Sequence, residues 1–122
     1  KSLQDPSWFV RCRAALSCGE MHNVDAIPYL EKLLNDEEVK VQVAAVNGLA
    51  HFPKENVIDL ILNAMSNPNW EVRYNAVGVL ETFATEHELP FLQKALETET
   101  EPNVKLSLET LIETLVSVIS PQ

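Results

Sequence analysis

The chain has 122 residues, with nine Lys or Arg against eighteen Asp or Glu, a formal charge of −9 and a hydrophobic content of 46%. That balance excludes a nucleic-acid surface, which needs clustered cations to displace counterions from phosphates. The apolar runs are far shorter than a bilayer span and no targeting pattern is visible, so a soluble, cytoplasmic protein that binds no membrane is expected.

In chain order, Lys1-Ser2-Leu3-Gln4 reads as the tail of a helix whose remainder is absent, and the chain is expected to be a fragment of a longer one. A long helix is predicted after Asp5-Pro-Ser-Trp-Phe-Val-Arg11, followed by a short one over Ala26-Ile-Pro-Tyr-Leu-Glu-Lys-Leu-Leu34. The same order then recurs. Long helices follow Asp36-Glu-Glu-Val-Lys-Val-Gln42, Asn67-Pro-Asn-Trp-Glu-Val-Arg73 and Glu99-Thr-Glu-Pro-Asn-Val-Lys105, and short ones cover Val57–Met65 and Leu89–Leu96. The starts at 5, 36, 67 and 99 are spaced 31, 31 and 32 residues apart, and a fixed period of that size marks stacked units in place of one globular core. Pro28 and Pro90 stand near the starts of short helices, where a missing N–H costs nothing. No stretch alternates with period two for long enough to make a strand, so the fold class is all-α.

Within the unit, columns five, nine, thirteen and sixteen residues after each start are apolar, as in Val41, Ala45, Leu49 and Phe52 or Val72, Ala76, Leu80 and Phe83. Steps of three and four place them on one buried helix stripe. Val10, Met21 and Cys18 occupy the same columns in the first unit and are expected in the core.

The pattern Asp5, Val10-Arg11, Ala14-Ala15, then Ala26-Ile27-Pro28-Tyr29-Leu30, repeated in part by Asn67-Pro68, Val72-Arg73 and Ala76, resembles the HEAT-like repeats, most closely the short type named after phycobilisome lyases. The resemblance covers nearly the whole chain and implies a right-handed α-solenoid of about three and a half hairpins, or about seven helices, forming one domain over residues 1–122. In such arrays the arginine column reaches the acidic column of a neighbouring repeat. Arg11 and Arg73 are therefore expected to pair along a structural ladder with Asp5, Asp36, Asn67 and Glu99 in the acidic column, weakest in the middle where Gln42 and Asn67 depart from the pattern.

Catalytic chemistry finds little support. Cys12 and Cys18, six apart on one helix, point about 120° from each other and are not expected to form a disulfide. His22, His51 and His87 recur at unequal positions, and a ligand set for a metal is not expected. No Gly-rich phosphate loop or Ser-His-Asp set is present, so the chain is expected to be no enzyme and to need no cofactor.

The column seven residues after each start is apolar throughout: Cys12, Val43, Tyr74 and Leu106. In repeats of this kind it points outward on the concave side and is usually polar. With Leu16, Asn47 and Trp70 it is expected to form a trough that binds a helix or extended segment of a protein partner, with Trp8 near the rim and Lys40, Glu71 and Asn75 flanking. A monomeric scaffold is the leading reading. The resemblance also implies an alternative, a bilin (open-chain tetrapyrrole) lyase-like or pigment-binding protein; a further one is a spacer or regulatory module of a larger enzyme.

Overall fold

The computed structural model describes residues 7–119. Within them the chain forms seven α-helices: α1 Trp8–Met21, α2 Ile27–Leu33, α3 Val39–Leu49, α4 Lys54–Ala64, α5 Trp70–Phe83, α6 Leu89–Thr98 and α7 Pro102–Ile119. Helix α1 is followed by three hairpins, α2/α3, α4/α5 and α6/α7, in each of which a shorter helix precedes a longer one. The long helices α1, α3, α5 and α7 pack in succession, each on the next, and each short helix packs on the long helix that follows it. This is a solenoid: neighbours touch only neighbours, and the core is a continuous seam between the two helix layers.

Local sequence chemistry sets the boundaries. Asn69 caps α5 by accepting the Glu71 N–H at 2.8 Å. Pro28 and Pro90 stand in the first turns of α2 and α6. A short 3₁₀ turn, Glu86–Glu88, leads into α6 and is fixed by a capping box between Thr85 and Glu88.

The apolar columns supply the core. Val41, Ala45, Leu49 and Phe52 of the second unit are buried, as are Val72, Ala76 and Leu80 of the third and Val104, Leu108 and Leu115 of the fourth. From the short-helix layer come Leu30, Leu33, Val57, Ile61 and Leu92.

The first unit departs from its own columns. Val10 and Met21 are exposed, the latter by 69%, and Ala14 and Cys18 are half-buried, against the expectation of a core stripe. The physical reason lies in the layer order. In units two to four that stripe is covered by the preceding short helix, and among the described residues none covers α1. The opposite side of α1 is packed very closely. A Cβ on Gly19 would lie 2.7 Å from the Gly48 carbonyl oxygen, and one on Gly48 would lie 2.8 Å from the Ala15 carbonyl oxygen, so the two backbones approach where only glycine fits. Among the described residues no helix is long and apolar enough to cross a membrane.

Candidate functional site: a trough on the long-helix layer

Two polar systems organise the molecule before any site can be read. The first is the ladder at the turns between units. Arg11 donates from Nε and Nη2 to both carboxylate oxygens of Asp36, at 2.8 and 3.1 Å, and Arg73 does the same to Glu99 at 2.9 and 2.7 Å. Between these rungs the pattern changes chemistry and keeps its shape. Asn67 Nδ2 donates to Gln42 Oε1 at 2.8 Å, so the middle rung is a neutral amide pair. Two of the arginine-column residues also tie the turn of their own unit: Gln42 donates to the Asp36 carbonyl, and Arg73 donates to the Asn67 carbonyl at 2.8 Å. Asp36, Asn67 and Glu99 each accept the backbone N–H two residues on. Asp5, the first member of the acidic column, lies outside the described residues.

The Glu99 side chain has little solvent access, which by itself raises its pKa. Hydrogen bonds from Arg73 and from the Glu101 and Thr100 backbone, with the Arg73 charge, outweigh that effect and hold the carboxyl below its usual range. The second system lies at the starts of the short helices. Lys54 of α4 donates to Glu88 at 2.9 Å and to the Thr85 hydroxyl at 3.3 Å, joining the third and fourth units. Burial again raises the Glu88 pKa, and bonds from Lys54 and Thr85 bring it below the ordinary value. Sequence reasoning missed this cluster, although Thr85-Glu-His-Glu88 carries the spacing of a capping box.

The trough lies between α3 and α5 on the face away from the short helices. A groove of about 510 Å³ is lined by Val39, Lys40 and Val43 from α3, Trp70, Glu71, Tyr74 and Asn75 from α5, and Asn103 from α7. It runs into a second groove of about 350 Å³ that shares Tyr74 and Asn75 and adds Asn47, Gly78, Glu81, Thr82 and Ser107. Tyr74 is 45% exposed, and its ring meets Trp70 edge to face with centroids 6.2 Å apart. Val43 is half-buried against the core. Asn47 donates to Asn75 Oδ1 at 3.3 Å, and Asn75 donates to the Glu71 carbonyl at 2.8 Å.

The seven expected trough residues do not form one strip. Val43, Trp70 and Tyr74 meet in the first groove and Asn47 in the second. Cys12, Leu16 and Leu106 line neither. They belong to α1 and α7, which within the described residues have a long-helix neighbour on one side only; Leu106 is 64% exposed and Leu16 is exposed as well. Trp8 packs edge-on against Phe9, and Lys40 places its ammonium 6.0 Å from the Trp8 ring centre.

The reactive groups are muted. Burial raises the Cys12 thiol pKa, and the carboxylates of Asp36 and Glu38 raise it further, leaving less thiolate at neutral pH than an ordinary cysteine would have. Burial alone raises that of Cys18. The His22 and His51 rings lie 5.7 Å apart, and among the described residues no three metal-ligating side chains gather.

No curated protein matches the chain. A family model described as PBS lyase HEAT-like repeat matches residues 10–36, and one described as HEAT repeats matches residues 30–113, more than half of the sequence. With seven helices stacked in consecutive contact and a polar rung at each turn, the chain belongs to the HEAT-repeat family.

Proposed function

We propose that this chain is a non-catalytic scaffold that holds a segment of a partner protein in the trough between α3 and α5. The observation that carries this reading is the exposed Trp70–Tyr74 pair, which lines one groove together with Val43. Tyr and Trp present large rigid areas whose burial contributes roughly 25 cal/mol per Å² before association costs. The polar neighbours Asn47, Asn75 and Glu71 supply direction. Cys12 and Cys18 line neither groove, and burial raises both thiol pKa values, so nothing in the trough supports a covalent pigment site and the scaffold reading is preferred to the bilin alternative.

The test is affinity capture with the wild-type chain and a Val43→Glu/Tyr74→Glu variant, with circular dichroism verifying that both are equally helical. A protein retained by the wild type and lost by the variant supports the trough as the binding site. Equal retention by both, or none by either, removes it.

A further inference from the structure

Gly78 is the least explained residue of the long-helix layer. It stands inside α5, where glycine is a poorer helix former than alanine, and it is exposed. Gly19 and Gly48 have a packing reason, since added Cβ atoms would collide with backbone. At Gly78 a Cβ would meet nothing within 4 Å. It lies one turn beyond Tyr74, which both grooves share, and lines the second groove, so the missing side chain keeps the floor of that groove low.

The groove walls carry a charge bias. Across the two grooves Glu71 and Glu81 face one cation, Lys40, which lines the first groove with Glu71 and lies 6.0 Å from the Trp8 ring centre. Trp70, Tyr74 and Glu71 line one groove, offering two aromatic rings and a carboxylate, groups that together attract an ammonium or guanidinium. The net charge of −9 adds long-range attraction for a cationic segment. The Asn47 side-chain carbonyl oxygen and the Thr82 and Ser107 hydroxyls offer hydrogen-bonding groups along the walls, while Asn75 is engaged with Asn47 and the Glu71 carbonyl. An extended chain has free peptide groups to meet them, whereas a helix has used its own internally.

We propose that the trough takes an extended, basic segment of a partner protein, with a lysine or arginine head against Trp70, Tyr74 and Glu71 and the main chain crossing Gly78. This rests on the scaffold reading above. From Trp70 to Glu81 the helix rises about 16 Å, room for about five extended residues. Gly78 is then a specificity position: it admits a backbone where any side chain would hold it off.

The test is fluorescence anisotropy on the full chain with a labelled peptide of about twelve residues repeating Pro-Lys-Val, which stays extended. A Pro-Glu-Val counterpart and a helix-forming Lys/Leu/Ala peptide of equal length serve as rivals. The proposal expects the Pro-Lys-Val peptide to bind at least about tenfold tighter than either rival. It expects Gly78→Ala to weaken that binding about tenfold with the melting temperature unchanged or raised, and Glu71→Gln to weaken it severalfold and flatten its salt dependence. Undiminished binding to Gly78→Ala, preference for the helical peptide, or no binding of the basic peptide overturns it. Tyr74→Ala separates the two readings. If it abolishes binding while Gly78→Ala does not, the trough stands and the assignment of Gly78 falls; if neither variant matters, both fall.

Discussion

The outer rungs and the middle rung of the ladder solve one problem with different chemistry. Arg11–Asp36 and Arg73–Glu99 are bidentate ion pairs with little solvent access, while Gln42–Asn67 is an amide pair in the same place. In both kinds the residue at the start of the unit accepts its own turn's N–H, and at Gln42 and Arg73 the partner column also ties the turn's carbonyl. The difference teaches that a half-buried turn needs its polar groups satisfied, and that charge is one means of doing so. Arginine-to-glutamine and acid-to-asparagine changes meet at one interface, so neither leaves an unpaired charge behind. A single change of that kind would have done so, at the cost that makes half-broken buried pairs unfavourable.

The comparison can be broken most strongly at Glu99. Glu99→Ala leaves the Arg73 guanidinium without its carboxylate, and a loss of about 3 kcal/mol is expected in urea unfolding. Asn67→Ala removes a neutral partner from the middle rung, and the expected loss is smaller, about 1 kcal/mol. Equal losses would mean that charge adds nothing at these sites. Converting the middle rung by Gln42→Arg with Asn67→Asp should leave stability within about 1 kcal/mol of wild type. Each single change should cost more than the pair, a coupling readable in a double-mutant cycle.

Acid sharpens the same contrast. Glu99 and Glu88 have lowered pKa values in the fold, so their pairing stabilises it above the unfolded glutamate value of about 4.3 and is lost as pH falls through the lower folded values. The acid dependence of stability should therefore be shallower in Glu99→Gln than in wild type, and unchanged in Gln42→Ala. An unaltered slope in Glu99→Gln would remove Glu99 from the account.

Much of this fold was legible because a repeat states each fact several times. Val41, Val72 and Val104 share a column and a fate, and Arg11 and Asp36 meet as the resemblance implied. What escaped the sequence depends on neighbours that a column does not encode. Val10 and Met21 look like core residues, yet their burial requires a short helix on that side of α1. Cys12, Leu16 and Leu106 share the outward face with Val43 and Tyr74, yet a groove needs long helices on both sides, which α3 and α5 have. The Lys54–Glu88 contact joins residues 34 apart and repeats nowhere in the described chain, so periodicity could not reveal it. The cap at Thr85 was readable from its spacing alone.

Arg73 and Tyr74 are adjacent on α5 and face different ways: one closes a rung, the other opens on the trough. Thermal unfolding and partner capture, measured side by side on Arg73→Ala and Tyr74→Glu well below their melting points, test the central claim most directly. The account predicts that Arg73→Ala lowers the melting temperature and keeps the captured partner, while Tyr74→Glu keeps the melting temperature and loses the partner. A Tyr74→Glu variant that still captures the partner, or an Arg73→Ala variant that loses it while fully folded, would contradict the division between a structural ladder and a binding trough.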